Sequence, residues 1–213
     1  MVNPPLLLIL LFSWLTPTTK DISAPEGAGN SALSPAAALY ADLCLEGLMT
    51  EQVFAAGYLS VARHQGAARI LAIADMTQPS TAKRLYIIDL EKKELVLNTW
   101  VAHGQGNGEL MATRFSNKEG SHQTSKGLYR VGKEIMSPKH GAALLLNGLD
   151  RGVNCQAMKR EVIMHSADYV SEDFITQHGR LGRSWGCPAV SRADMPRVID
   201  LLADGGYLYV HGR

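Results

Sequence analysis

His165 and Cys187 share a short segment that closes on Ser184-Trp185-Gly186-Cys187-Pro188, and they have the residue types of a thiol nucleophile and its proton acceptor. A thiol near its free pKa is only slightly ionised at neutral pH. A cysteine that attacks an acyl carbon therefore needs an imidazole to take its proton or hold its thiolate. The same pair also fits a simpler reading, with Cys187 a small buried hydrophobe and His165 an unrelated surface histidine. Gly186 has no side chain, so backbone and ligand can approach closely there. Pro188 has no N–H, so donors to a developing oxyanion are expected from the amides of Cys187, Gly186 or Trp185. Arg180 and Arg183 can each grip a carboxylate at two points. Alternatively, they are solvated or pair with Glu172, Asp173 or Asp168. Trp185 either walls a cleft or fills the core beneath the loop. His103, His122 and His140 fall in Gly-rich or polar turns and are read mostly as surface residues, with His140 the best second histidine near the cleft. The substrate-facing set is thus Arg180, Arg183, Ser184, Trp185 and His140.

Two further runs carry a resemblance. Ile163-Met164-His165-Ser166 with Gly179-Arg180-Leu181-Gly182-Arg183-Ser184-Trp185-Gly186-Cys187-Pro188-Ala189-Val190, and upstream Thr124-Ser125-Lys126-Gly127-Leu128-Tyr129-Arg130-Val131, resemble the murein L,D-transpeptidases, the YkuD-like family. The likeness is to the subgroup with a Ser-Trp-Gly-Cys-Pro motif, and it runs from about Leu33 to the C-terminus. The resemblance implies a β-sandwich-like core, Cys187 as nucleophile, His165 as base, and the backbone carbonyl of Ser166 orienting the imidazole. It implies attack on the carbonyl after the diamino-acid residue of a peptidoglycan tetrapeptide stem, loss of D-alanine, and an acyl-enzyme. An amine acceptor then gives a cross-link or an attached protein; water gives a carboxypeptidase. No metal or organic cofactor is implied. Trp185 stands where the best-known members carry a second histidine, and an indole can donate one hydrogen bond but accept none. Another thiol peptidase or amidase of the cell wall, or a catalytically inactive wall-binding domain, is the alternative.

The elements that must position these residues are spread along the rest of the chain. At 213 residues it is long enough to bury a real core. With 21 basic and 20 acidic side chains, and no basic block, it is not read as a nucleic-acid binder. The apolar run Leu6 to Phe12 reads as part of a secretory signal peptide over 1–20 and is too short for a comfortable bilayer span. Export to the periplasm or beyond is therefore expected, with no membrane span left once the signal is removed. A Gly/Ala/Ser/Pro linker over 21–32 comes next, then a helical segment over 33–66 packed on a catalytic domain over 67–213.

Ser34-Pro35 starts a helix through Glu46 that Gly47 stops, and Thr50 caps a second that ends near Gly66. β-type runs lie at Ile70 to Ala74, Leu85 to Leu90, Leu95 to Val101, Gly127 to Val131, Ala143 to Leu146, Val162 to His165 and Tyr207 to His211. Glu91-Lys92-Lys93 turns the second of these into the third as a hairpin. Ser171 caps a short helix ending at Gly179, an excursion that returns the chain to set Cys187 beside the His165 strand. Ser191 and Asp194 are read as a capping pair for a last helix through Val198, Leu201 and Leu202. The whole is mainly β, of α+β type, with two N-terminal helices and a C-terminal helix and strand. Cys44, Cys155 and Cys187 form an odd set. With Cys187 as nucleophile, Cys44–Cys155 is the one internal disulfide possible, although Cys44 also suits a core position in its apolar helix. No short paired-ligand spacing for zinc is present.

Overall fold

Strands that are apolar at successive positions belong in mid-sheet, covered on both faces. Ile70–Asp75 and Leu85–Asp89 are buried at every residue. In a computed structural model of the protein they are β1 and β2 of a mixed sheet completed by β3 (Glu94–Thr99), β4 (Gly127–Ser137), β5 (Gly141–Gly148), β6 (Ile163–Ser166), β7 (Ala189–Val190) and β8 (Tyr207–His211). The eight strands run in the order β3-β2-β1-β8-β4-β5-β6-β7. The pairs β1·β8 and β6·β7 are parallel and the rest antiparallel. The helices are α1 (Pro35–Asp42), α2 (Glu51–Arg63), α3 (Glu172–His178) and α4 (Met195–Leu202).

The structure describes Met1 and residues 34–64 and 68–213, so the signal peptide and linker expected over 1–20 and 21–32 lie, beyond Met1, outside the described residues. The sheet and its helices belong to the unit Leu33–Arg213. Among the described residues no helix is long and apolar enough to cross a membrane.

Alternation along each strand sends neighbouring side chains to opposite faces. Leu71, Ile73, Leu128 and Tyr207 meet Val53, Phe54 and Val61 of α2. Ala72, Ala74, Tyr129, Val131, Leu144, Met164 and Leu208 join Met195, Val198 and Leu202 of α4. The second cluster takes side chains from β1 and β8 and also from β4, β5 and β6, so both halves of the sheet share one core. This is the mainly β, α+β architecture expected. Phe54 is fully buried, and its removal from water contributes about 2–3 kcal/mol.

Several boundaries differ from expectation for identifiable reasons. α1 stops at Asp42, short of Glu46, because Leu43 and Leu45 are both buried and a helix would send residues two apart to nearly opposite sides. Cys44 between them turns outward at a φ of 50° and is exposed, which overturns its reading as a core residue. Thr50 does cap α2, its Oγ1 accepting from the Val53 amide at 3.3 Å. β4 runs on to Ser137 because a register shift between Val131 and Glu134 absorbs the break in its alternation. Its hairpin with β5 then turns at 138–140. The two-residue strand β7 is an addition to the expected set. The β2–β3 hairpin forms as expected, closed by Asp89, whose Oδ1 accepts from the amides of Glu91 and Lys92 at 3.1 and 3.0 Å.

Candidate functional site

β6 carries His165, and β7, which comes after Cys187 and Pro188, lies parallel to it with His165 opposite Ala189. The crossover between them contains α3, capped by Ser171 and closed by Gly179 at a φ of 68°. Both ends of the loop that bears Cys187 are pinned by one segment, 102–105. The Ser184 amide donates to His103 O at 3.1 Å, Gln105 N donates to Ser184 O at 2.8 Å, and Ala102 N donates to Ala189 O at 2.8 Å. Gly104 and Gly186 permit this closeness: a Cβ on Gly104 would stand 2.7 Å from Gly186 Cα.

His165 is buried, and its Nδ1 lies 2.9 Å from the Ser166 carbonyl. A carbonyl only accepts, so Nδ1 carries the proton and Nε2 is left with a free lone pair. Burial, then the proximity of His140 and Lys139, lowers the His165 pKa to about 4, although the Ser166 carbonyl opposes the shift. The imidazole is therefore neutral at neutral pH. Cys187 is half-buried, and its Sγ accepts from the Ile163 amide at 3.5 Å. Burial pushes the thiol up, while the Ile163 amide, Arg160 and Lys139 draw it down. Among the described residues no hydrogen bond joins the imidazole to the thiol. Near neutral pH the imidazole is thus uncharged, and burial favours the protonated form of the thiol.

Ser184 is turned into the loop. Its hydroxyl donates to Cys187 O at 2.5 Å and accepts from Gly186 N at 3.0 Å, so it shapes the loop and has little capacity left for a ligand. The Gly186 amide is thereby committed, which corrects its inclusion among the oxyanion donors. The amides of Trp185 and Cys187 donate to nothing among the described residues. Gly186 holds a φ of 122°, and a Cβ there would lie 2.9 Å from Gln123 O. Gly186→Ala is expected to lose about 1–3 kcal/mol in thermal or urea unfolding. It should also slow alkylation of Cys187 by iodoacetamide, because the loop must shift; an unchanged rate would mean that the loop tolerates the move.

Trp185 is 69% exposed, which excludes the core-filling alternative. Its ring stacks on His122 with centroids 5.1 Å apart, and Lys139 Nζ lies 4.9 Å from its centroid. Lys139 and His140 sit at the tip of the β4–β5 hairpin, and the His140 ring stacks on that of His165 at 3.8 Å. Arg180 and Arg183 converge on Glu109, at 3.0 and 2.6 Å, and not on Glu172, Asp173 or Asp168. Asp168 pairs instead with Arg192. Cys44 and Cys155 are both exposed and free, so the one internal disulfide that the cysteine set allowed is not formed.

Sequence reasoning missed the network beneath the loop. His103 is not at the surface but buried, with Nδ1 accepting from Arg84 Nη2 at 2.7 Å and Nε2 lying 3.3 Å from Gly108 O. Arg84 is itself fully buried and also donates to Val101 O and Gln78 O. Burial and then the Arg84 charge lower the His103 pKa to about 4. Below about pH 6.5 the unfolded chain takes up protons that His103 and His165 refuse in the fold. Stability should therefore fall from about pH 6.5 to about pH 4, by about 3 kcal/mol for each group. Urea midpoints measured between pH 7 and 4 check this, and a flat profile would mean the rings protonate freely in the fold.

A cleft of about 650 Å³ lined by Arg63, Lys126, Asp150, Arg151 and His211 lies elsewhere and contains neither Cys187 nor His165.

A family model described as an L,D-transpeptidase catalytic domain matches residues 48–211. No curated protein sequence matches the chain. Among solved structures, an L,D-transpeptidase from Mycobacterium smegmatis is similar at 15% identity, over 68% of this chain and 60% of that one, with a TM-score of 0.43. The helical cell shape determining protein Pgp2 from Campylobacter jejuni is similar at 12% identity, over 74% and 55%, with a TM-score of 0.45. An L,D-transpeptidase from Stackebrandtia nassauensis is similar at 16% identity, over 84% and 78%, with a TM-score of 0.40. The chain spans less than two thirds of the length of the first two of these structures.

Proposed function

Because the chain belongs to the L,D-transpeptidase catalytic domain family over residues 48–211, we propose that it is an exported cysteine acyltransferase acting on peptidoglycan stem peptides. The observation that carries this reading is the pairing of β6 with the segment after Cys187, which sets a half-buried thiol beside the strand of a buried histidine whose Nε2 is free to accept a proton.

In the proposed reaction the carbonyl after the diamino-acid residue of a tetrapeptide stem comes to rest against Cys187. The Sγ–C bond forms as the thiol proton passes to His165 Nε2. The developing oxyanion takes hydrogen bonds from the free amides of Cys187 and Trp185. Collapse expels D-alanine, which leaves with the proton returned from the imidazolium, and the thioester remains. An amine acceptor, deprotonated by the same imidazole, resolves the thioester and gives a cross-link or an attached protein; water resolves it as a carboxypeptidase. Ser166 O holds the imidazole in the required tautomer throughout. Trp185, backed by His122 and carrying Lys139 over its ring, walls the mouth of the site, and Lys139 offers a cation to stem carboxylates. Arg180 and Arg183 can serve as a second carboxylate grip only when Glu109 gives way.

The test is mass spectrometry of the purified protein and its products after incubation with a disaccharide-tetrapeptide. A thioester adduct on the peptide containing Cys187, with D-alanine released, is the expected result, and the product masses separate amine from water as acceptor. Absence of both adduct and release would sink the substrate assignment.

A further inference from the structure

The proposed reaction leaves the charge of the nucleophile without an obvious counterpart. A half-buried thiolate needs a favourable charge or donors nearby, and His165, neutral well below pH 7, does not supply an imidazolium in the resting site. The Ile163 amide supplies one long hydrogen bond. Lys139 stands at an exposed hairpin tip, where solvent screens its charge.

We propose that Arg160 is a positioning residue for the nucleophile: a fixed guanidinium, not neutralised by any carboxylate among the described residues, whose charge favours the Cys187 thiolate. The inference rests on the reading of Cys187 as the nucleophile. Arg160 lies in the run of turns between β5 and β6 and is half-buried. Its Nη1 donates to Ser116 O at 3.0 Å and to Ser125 Oγ at 2.6 Å, and its Nη2 donates to Gln123 O at 2.6 Å. All three acceptors are neutral. Among the described residues Arg160 forms no ion pair, although Arg180, Arg183 and Arg192 all do. These three bonds fix the fork against the 116–125 loop. A Cβ on Gly186, the residue before the nucleophile, would stand 3.3 Å from Arg160 Nη2. Glycine at that position leaves room for the guanidinium against the nucleophile loop.

The other titratable groups around the thiol do not supply this charge. Tyr129 and Tyr169 are held neutral by burial, which raises both hydroxyls. Burial, then Lys139 and Arg192, lower the neighbouring imidazole of His140, so it too is uncharged. Of the two cations that draw the Cys187 thiol down, Arg160 acts more strongly than Lys139. A guanidinium cannot lose its proton at any working pH, so its charge does not titrate away as the thiol ionises.

The test needs no substrate. In a background carrying Cys44→Ser and Cys155→Ser, which removes the two exposed thiols, the rate of iodoacetamide alkylation at Cys187 is followed against pH by intact mass. Arg160→Met is expected to raise the midpoint by about one pH unit and to slow alkylation at pH 7 about tenfold. Arg160→Lys, which keeps the charge but not the fork, should stay within about threefold of the parent. Ser125→Ala removes one hydrogen bond but no charge and should leave the midpoint in place. Should Arg160→Met not fold, Arg160→Gln replaces it with the same expected shift. An unmoved midpoint in the neutral variants, or equal shifts in the Lys and neutral variants, overturns the proposal. Because alkylation reports on the thiol alone, a shifted midpoint alongside no release of D-alanine would uphold Arg160 and sink only the substrate reading.

Discussion

Cys187→Ala is expected to abolish thioester formation and release of D-alanine from a tetrapeptide stem while leaving the fold intact. The size of the loss is set by the reaction class. A covalent catalyst without its nucleophile falls to what the remaining donors and binding contacts provide, a drop on the order of 10⁶-fold for comparable acyl-transfer sites. The fold should survive because the thiol has few structural duties. Its Sγ accepts one hydrogen bond, at 3.5 Å from the Ile163 amide, and it packs only at the edge of the main core. Removing it should cost about 1 kcal/mol, visible as a small decrease in the unfolding midpoint. The loop is held by other groups: Ser184 Oγ, Gly104, and the Ala102–Ala189 bridge. The two observables therefore separate cleanly. Lost chemistry with a retained midpoint supports the nucleophile assignment. Retained turnover would move the chemistry elsewhere, and an inactive parent protein would favour a wall-binding role over a catalytic one.

The parts of this site that can be read from the chain are those encoded locally. Ser34, Thr50 and Ser171 announce helix starts because a short side-chain oxygen satisfies amides a few residues ahead, and all three do so here. The apolar runs of β1 and β2 are legible because burial on both faces leaves no polar position to confuse the period. Cys187 and His165 are legible as chemistry-bearing types in a short segment. Illegible is whatever depends on partners far along the chain. Arg84 appears as an ordinary charge beside Lys83, and only the fold reveals that it is buried against His103 and Val101 O. Glu109 lies in a glycine-rich stretch with nothing to mark it, yet it receives both Arg180 and Arg183 across more than seventy residues. Arg160 sits in the polar run Met158-Lys159-Arg160-Glu161, which reads as a solvated surface. β7 escapes because two residues carry no period at all, and its pairing is dictated by β6 and Ala102.

His165→Gln should lower the rate of acylation by about 10²–10⁴-fold, the usual contribution of a positioned general base, and should also change the shape of the pH profile. In the parent protein the base is competent whenever Nε2 is unprotonated. With a pKa of about 4 set chiefly by burial, the acid limb should fall away only below about pH 4, well under the 6.5 of a free imidazole. Above that limb the rate should be nearly level towards the range where the thiol itself ionises, because burial raises the thiol and keeps it protonated in the resting site. Glutamine can still reach the Ser166 carbonyl and fill much of the ring volume, but it cannot accept the thiol proton. Its residual activity must therefore come from pre-formed thiolate, and the rate should climb about tenfold per pH unit through neutrality instead of levelling. The slope separates a lost base from mere misplacement. A misplaced but functional imidazole would lower the whole profile without tilting it. If the parent's acid limb instead lies near 6.5, His165 is accessible to water in solution, and an imidazolium–thiolate pair becomes available as the resting state. Charge support from Arg160 would then be dispensable, and Arg160→Met should leave the alkylation profile where it was.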